Sequence, residues 1–381
     1  MPHSDNLEEQ ILSVLDSFAL AGSMTGFTQW MGGHINQTYV VKMQEHGVGE
    51  SYVLQRINGR VFRNIPVLMD NAIRVSEHAI DKLAANGANG EAVRRGAIRF
   101  LRTRDGTPFC PDPSGDAWRL YPCIERADAK LTADTPTEAY EAALAFGRFQ
   151  HLLADLPGAR LQETIPGFHD TRLRYAQLDN AARTDAVGRT AAMRAELQAC
   201  FSRTAAATVL QCACEDGAFP ERTVHNDAKL SNVLLDSDTR KAVCVIDLDT
   251  VMPGLALHDF GDLVRSICNP ADEAEPDTSK IEIRLPFFEA LVAGYLDAAG
   301  DMLTAAEVEL LPESGWVMTL ELATRFLADY LNGDHYFRIK YPEHNLVRTR
   351  SQLALAQRLE EAQPAMREIV RRYQPSAVPA W

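Results

Sequence analysis

Hydrophobic positions in the first third of the chain come in short runs separated by glycine-bearing polar stretches, a pattern typical of β-strands. These runs fall at residues 27–31, 37–43, 51–57, 97–103 and 117–121. Apolar residues at helical spacing also predict helices at residues 7–18 and 66–83. Gly47 and Gly49 lie between the second and third strands, so we expect those two strands to be antiparallel neighbours.

From about residue 135 the hydrophobic pattern changes to the spacing of amphipathic helices. Residues 139–153 carry a wide apolar face that includes Ala142, Phe146 and Phe149. Further helices are predicted at residues 172–184, 191–212, 263–267, 281–299, 305–330 and 349–373. A small antiparallel sheet followed by a larger helical part predicts an α+β fold with two lobes.

Composition narrows the class of protein. The 381 residues are 46% hydrophobic and 24% charged, which is ordinary for a globular enzyme. The net charge of −14 argues against nucleic acid or an anionic membrane as the main partner. No stretch has the length of a membrane span, residues 1–10 are polar, and the seven cysteines lack zinc-finger spacing. We therefore expect a cytoplasmic enzyme with reduced thiols.

One segment carries the strongest chemical pattern. His225-Asn226-Asp227 is followed by Asn232, five residues after the acid. Two apolar runs, at 233–235 and 242–246, are separated by a polar turn, and the second run ends on Asp247. The pattern predicts a loop, a strand, a turn and a second strand, with an acid at the exit of the second strand.

Phosphoryl transfer requires these residue types at this spacing. A carboxylate must lie beside the acceptor hydroxyl, and oxygen ligands must hold the Mg²⁺ that bridges the ATP phosphates. We assign the carboxylate role to Asp227 and the metal to Asn232 and Asp247. Asp259, which begins an Asp-Phe-Gly sequence, is not at the exit of the hairpin. We expect it to begin the next helix with a structural role, as we do Asp262.

These segments, together with residues 245–254 and 259–262, resemble the aminoglycoside phosphotransferase and choline kinase superfamily, and most closely the N-acetylhexosamine 1-kinases. The resemblance extends over nearly the whole chain. It implies a protein-kinase-like fold, ATP and Mg²⁺ as cofactors, and phosphorylation of the C1 hydroxyl of N-acetylglucosamine or N-acetylgalactosamine. Two alternatives stay open: a kinase of another small alcohol, such as an aminoglycoside, choline or a different sugar, and a non-catalytic pseudokinase.

The first lobe is expected to hold the nucleotide. Gly32 and Gly33 form a turn in which backbone amides can approach phosphates. The resemblance makes His34, which follows them, a substrate contact. The third strand lacks the phosphate-binding lysine of kinases, and Gln55 and Arg56 occupy that region. A guanidinium can bind phosphate through two hydrogen bonds, so Arg56 is the candidate for this contact.

Further site residues follow from the same resemblance. Glu77, on the helix after the third strand, would orient the phosphate-binding residue. Backbone groups of Pro122, Cys123 and Ile124 resemble the hinge that binds adenine. The hinge places the lobe boundary near residue 125 and divides the chain into residues 1–125 and 126–381.

The acceptor site is also predicted from the resemblance. Asp249, two residues after Asp247, would bind metal or substrate. The segment that contains Arg325 and Tyr336 resembles the sugar-binding helix of the hexosamine kinases. Arg325 would donate hydrogen bonds to the sugar hydroxyls, and Tyr336 would line the pocket.

Overall fold

The structure, a computed structural model, describes residues 3–30 and 35–373. Its strands are β1 (Ser23–Trp30), β2 (Gln37–Glu45), β3 (Val48–Arg56), β4 (Cys110–Pro111), β5 (Ala117–Pro122), β6 (Ala127–Ala129), β7 (Arg222–Val224), β8 (Val233–Asp236), β9 (Ala242–Val245) and β10 (Met252–Gly254). Its helices are α1 (His3–Asp16), α2 (Ile65–Ala85), α3 (Gly90–Gly96), α4 (Pro136–Leu153), α5 (Thr171–Thr184), α6 (Arg194–Phe201), α7 (Thr204–Ala207), α8 (Val209–Glu215), α9 (Ala256–Ile267), α10 (Leu285–Ala299), α11 (Ala305–Glu309), α12 (Leu311–Asn332) and α13 (His344–Tyr373).

The chain divides into two compact units. The first contains Met1–Ala127, Asp155–Pro166 and Val243–Val251. The second contains Asp128–Ala154, Gly167–Ala242 and Met252–Trp381. The boundary that we expected at residue 125 thus falls at Ala127, and two later segments join the first unit. One of these segments carries Asp247 and Asp249.

The first unit is built on an antiparallel sheet in the order β1-β2-β3-β5-β4. Alternate residues of β2, namely Tyr39, Val41 and Met43, are buried, as expected for a strand with one face toward a core. They share a hydrophobic cluster with α1 and with Trp118 of β5. A second cluster forms around α2, where Leu68 and Met69 are fully buried.

The second unit is mainly helical. Helix α12 packs against α5, α9 and α13, and its residues contribute to a core with α5 and α13. Helices α4 and α10 approach each other closely at Gly294, where a Cβ atom would collide with the carbonyl oxygen of Tyr140. The small elements of this unit include β7, which pairs with β10 and ends where the predicted catalytic loop begins.

Three predicted elements differ from the structure. Residues 97–103 form no strand, although Thr103 makes an isolated bridge to Phe18 and the Leu101 amide donates to the carbonyl of Leu120. The helix expected at 191–212 is divided into α6, α7 and α8. The helix expected at 305–330 ends at Glu309 and restarts at Leu311, because Pro312 has no amide hydrogen and suits the first turn of a new helix.

Among the described residues, no helix combines the length and the hydropathy needed to cross a membrane.

The close approach of α4 and α10 predicts that Gly294→Ala destabilises the second unit. The added methyl group would meet a backbone carbonyl, which cannot move aside as a side chain can. We expect a loss of about 1–3 kcal/mol, measured by urea unfolding. The matched control is Gly90→Ala at the start of α3, where the nearest atom to the new Cβ is the end of the Arg94 side chain, 3.8 Å away. An equal stability of the two variants would contradict this packing.

Candidate active site

The predicted catalytic loop begins directly after β7 and turns through an unusual backbone conformation at Asn226. Asn226 has a φ of 62°, in the left-handed region that asparagine tolerates better than most residues. Its side-chain amide donates to the carbonyl of Met252 over 3.3 Å. Gly254 of β10 permits this packing, because a Cβ atom there would lie 2.6 Å from Asn226 Oδ1. The β7–β10 pair therefore fixes the turn that precedes Asp227.

Asp259 anchors the same loop from α9. Its buried carboxylate accepts hydrogen bonds from the amides of His225 (2.9 Å) and Asn226 (2.7 Å) and from Gln150 Nε2 (2.6 Å). Burial raises the pKa of Asp259, against the effect of His225 and of these hydrogen bonds. The first acid of the Asp-Phe-Gly sequence thus holds the loop in place.

Asp227 lies in a small polar cluster with two residues of its own loop. Lys229 Nζ is 2.8 Å from Asp227 Oδ2, and Asn232 Nδ2 donates to the same oxygen over 3.1 Å. Burial opposes ionisation of Asp227, but the charge and hydrogen bond of Lys229 outweigh it and lower the pKa of Asp227 to about 2. Asp227 is therefore a carboxylate at neutral pH. The structure brings Asp227 and Asn232 together and adds Lys229, which we had not predicted.

A buried ion pair supports the loop from another side. Both carboxylate oxygens of Glu321 lie 3.0 Å from Nδ1 of His169, and Nε2 of His169 is 2.9 Å from the carbonyl oxygen of Asn226. Because both ring nitrogens face acceptors, the arrangement requires a doubly protonated imidazolium. Burial lowers the pKa of His169, but Glu321 outweighs it and the net pKa is raised. His169 therefore ties α12 to the residue next to Asp227.

Arg325 and Tyr336, the predicted acceptor residues, lie together in the second unit. The guanidinium of Arg325 is centred 4.8 Å from the Phe168 ring and 5.7 Å from the Tyr336 ring, and it lies 3.4 Å from Glu321. The backbone that carries Tyr336 is held by Asp329, whose carboxylate accepts the Tyr336 amide over 2.8 Å. Tyr336 itself is about half exposed, so its ring is open to a ligand.

In the first unit, Gln55 is not placed to bind phosphate. It lies opposite Arg119 in the pairing of β3 with β5, and its Oε1 accepts from Arg119 Nε (2.9 Å) and Nη2 (2.8 Å). Its amide nitrogen donates to Thr38 Oγ1 over 3.1 Å. Both ends of this buried side chain are thus used within the sheet.

Asp249 is likewise committed to other contacts. One carboxylate oxygen forms a buried ion pair with Arg119, and the other accepts from Asn36 Nδ2 over 2.6 Å. We had expected Asp249 to bind metal or substrate, but these contacts occupy both oxygens and indicate a structural anchor. Asp247, two residues earlier, is half-buried and adopts a left-handed backbone with a φ of 64°. Its role as a metal ligand stays a prediction.

Two further residues, Arg56 and Glu77, were predicted to contribute to the nucleotide site. Arg56 forms an ion pair with Asp116, and its contact with phosphate stays a prediction. Glu77 is exposed and lies 3.5 Å from Arg102, so it does not orient Gln55 or Arg56 as we had expected. The reason is its position on the outer face of α2.

The predicted adenine-binding hinge has only some of its backbone groups available. The amide of Cys123 donates to the carbonyl of Ser51 over 2.8 Å, and Pro122 belongs to β5 and has no amide hydrogen. The amide of Ile124 and the carbonyl of Cys123 remain the candidates for adenine. Gly32, Gly33 and His34 lie outside the described residues.

Comparison with known proteins identifies the family. The model of the Phosphotransferase enzyme family (APH) matches residues 27–308. The chain belongs to this family. Solved structures that resemble this phosphotransferase include an aminoglycoside phosphotransferase from Alicyclobacillus acidocaldarius, with 13% identity, a TM-score of 0.56, and coverage of 94% of this chain and 96% of that chain.

Two further solved structures are similar to the phosphotransferase. The Plasmodium vivax ethanolamine kinase has 13% identity and a TM-score of 0.53, with coverage of 86% of this chain and 82% of that chain. The choline kinase from Cryptosporidium parvum has 14% identity and a TM-score of 0.51, with coverage of 91% and 92%. At this identity the likeness shows the fold, and it confirms the predicted α+β, kinase-like architecture.

The His169–Glu321 pair predicts a pH-dependent contribution to the stability of the phosphotransferase. The raised pKa of His169 means that its contribution is complete below pH 6.5 and is lost as the pH rises through the pKa of the folded state. Burial opposes ionisation of Glu321, but His169 and Arg325 lower its pKa to about 2 from 4.5, so its contribution is lost only as the pH falls through that range. The full effect therefore lies between pH 4.5 and pH 6.5.

We expect Glu321→Gln to lower the free energy of unfolding by about 3 kcal/mol near pH 6 and by less near pH 9. Urea unfolding at the two pH values measures the difference. Glu361→Gln removes an exposed partner of Arg358 and serves as the control, with little change at either pH. Equal losses at both pH values for Glu321→Gln would show that His169 is not the partner that titrates.

Proposed function

We propose that this phosphotransferase transfers the γ-phosphoryl group of ATP to the C1 hydroxyl of an N-acetylhexosamine, N-acetylglucosamine or N-acetylgalactosamine. Phosphoryl transfer is supported by the ionised carboxylate of Asp227, which contacts Lys229 and Asn232. Asp259 and His169 hold the loop that contains it. The choice of acceptor rests on the charges around Arg325.

Asp227 would act mainly by orienting the acceptor hydroxyl. Lys229 and Asn232 both contact Oδ2, which directs an incoming hydroxyl to Oδ1. A carboxylate with a pKa of about 2 is a weak base, so it accepts the hydroxyl proton late, once the bond to phosphorus is forming. In a loose transition state this alignment is the larger contribution.

The side chains that would hold Mg²⁺ suit that ion. Asn232 uses its amide nitrogen to bind Asp227, so its carbonyl oxygen is the atom left for a metal. Asp247 supplies a carboxylate at the exit of β9. Both are hard oxygen ligands of the kind that Mg²⁺ prefers, and the bound ion would neutralise charge on the phosphates.

The charge of the acceptor site favours an uncharged substrate. His169, Arg174 and Arg325 are three cationic groups around the carboxylate of Glu321, and Asp262 adds a second carboxylate that acts on His169. Choline and aminoglycosides are cations, and the two guanidinium groups beside the Tyr336 ring would repel a cation that binds there. Sugar hydroxyls and an acetamido carbonyl accept hydrogen bonds from guanidinium, and the half-exposed Tyr336 offers a ring face to a sugar.

The role of Asp227 predicts a large loss of turnover in Asp227→Asn. The variant keeps the size of the side chain but removes the charge that orients the hydroxyl and the site that accepts its proton. We expect kcat to fall by about 10²–10⁴-fold, with ATP binding retained. Release of ADP measures turnover, and calorimetry measures ATP binding. The control is Asp238→Asn in the exposed turn before β9, and a near-normal kcat in Asp227→Asn would overturn the mechanism.

The acceptor class is tested with a panel of alcohols. ATP consumption with Mg²⁺ is measured on N-acetylglucosamine, N-acetylgalactosamine, glucose, galactose, choline and kanamycin, and sugar products are assayed for loss of the reducing end. We expect the N-acetylhexosamines to be preferred and their reducing end to be blocked. Activity on choline or kanamycin alone would remove the sugar assignment, and ATP binding without transfer to any acceptor would favour the pseudokinase.

A further inference from the structure

Arg119 is a charged residue at a position where a strand is otherwise apolar. It lies within β5, where Trp118 and Leu120 on either side are fully buried, and its own side chain is 1% exposed. Burying a guanidinium costs several kcal/mol unless its charge and its hydrogen-bond donors are satisfied. The neighbours of Arg119 meet that need: Gln55 accepts two hydrogen bonds, Asp249 supplies the opposite charge, and the Phe100 ring lies 5.4 Å from the guanidinium carbon.

The segment that Arg119 reaches is held along its length. Thr164 Oγ1 donates to the carbonyl oxygen of Asp249 over 2.8 Å, and Asn71 Nδ2 donates to the carbonyl of Val251 over 3.2 Å. Asn36 holds the second carboxylate oxygen of Asp249. Side chains from four separate parts of the first unit thus converge on residues 249–251. These contacts fix the position of the backbone of residues 249–251.

The contacts that hold Asp249 also constrain Asp247, two positions earlier in the chain. Its left-handed backbone costs a residue with a Cβ atom about 1–2 kcal/mol, so the surrounding structure must impose it. The short 3₁₀ turn Leu248–Thr250 connects the two acids directly. Any movement of Asp249 is therefore transmitted through one tight turn to the carboxylate of Asp247.

We infer that Arg119 is a positioning residue for the metal: through its ion pair with Asp249 it holds the turn that presents Asp247. In this chain the buried cation of the sheet thus lies on β5 and acts on the turn, whereas β3 carries the uncharged Gln55. The inference rests on the proposed function only in taking Asp247 as the Mg²⁺ ligand. It assigns a task to two residues, Arg119 and Asp249, that would otherwise contribute only to stability.

The test measures metal binding separately from stability and turnover. Mn²⁺ replaces Mg²⁺, and its binding in the presence of a non-hydrolysable ATP analogue is followed by electron paramagnetic resonance. We expect Arg119→Gln to weaken Mn²⁺ binding by about 10–100-fold, the range found when a residue that supports a metal ligand is changed. Arg119→Lys retains the ion pair with Asp249 and should recover part of that loss. The acceptor KM should stay within about twofold of wild type, since the acceptor residues belong to the second unit.

The control is Arg102→Gln, which removes an exposed arginine of the same unit that pairs with Glu77. A lower melting temperature in Arg119→Gln with unchanged Mn²⁺ affinity would overturn the inference and leave Arg119 a structural residue. If Arg119→Gln does not fold, Asp249→Asn decides the question, because it removes the charge that Arg119 binds. Wild-type affinity for Mn²⁺ in Asp249→Asn would overturn the inference, and weaker binding would support it.

Failure of the proposed function is distinguishable from failure of this inference. Asp247→Ala is measured alongside the other variants. If it keeps the wild-type affinity for Mn²⁺, Asp247 is not the metal ligand and the inference fails, whatever the acceptor panel shows. If wild type binds Mn²⁺ with nucleotide, Arg119→Gln binds it weakly, and no acceptor is phosphorylated, the inference holds and the sugar kinase assignment fails.

Discussion

The predicted catalytic loop depends on one carboxylate, which accepts hydrogen bonds from two consecutive backbone amides. Asp259 binds the amides of His225 and Asn226, and these two hydrogen bonds set the direction in which the chain leaves β7. Asn226 can then adopt its left-handed conformation, and Asp227 follows with its side chain beside Lys229 and Asn232. Without these two hydrogen bonds, water could solvate Asp227, Lys229 and Asn232 separately, and the three side chains would not be held together.

The same physical device recurs at each chemically important position. A buried charged side chain holds, through hydrogen bonds, a backbone segment that carries a proposed catalytic or metal-binding side chain. In the second unit the imidazolium of His169 links Glu321 to the carbonyl of Asn226. In the first unit Arg119 and Asp249 hold the turn after β9. Such pairs add little net stability compared with apolar residues, so their value lies in fixing one geometry.

The sequence predicted contacts that are local and missed those that join distant segments. Asp227 and Asn232 are five residues apart in one loop, so their spacing alone places them together. The contact of Lys229 with Asp227 could also have been predicted, because side chains two positions apart on an extended chain point the same way. His169 and Glu321 are 152 positions apart, and neither lies in a recognisable motif.

Secondary structure shows a similar division. The strands of the sheet and most long helices followed from hydrophobic spacing, whereas breaks in helices depend on single residues such as Pro312. Arg119 was recognisable in principle, since a charged residue inside an apolar strand signals a buried partner. The sequence could not name that partner, because Asp249 is 130 positions away. Glu77 was misplaced for a related reason: helical spacing alone did not show which face of α2 it occupies.

The absence of a lysine on β3 changes how phosphate charge can be balanced in the proposed mechanism. A lysine at that position is a flexible point charge that can follow the phosphates. Gln55 carries no charge, and Arg56, the last residue of β3, is paired with Asp116. The guanidinium of Arg119, 1% exposed and paired with Asp249, cannot reach out to replace a lysine. Charge neutralisation then falls more heavily on the metal and on the carboxylate that holds it. A mechanism that depends on the metal in this way requires Asp247 to be held rigidly, and the side chains that converge on residues 249–251 meet that requirement.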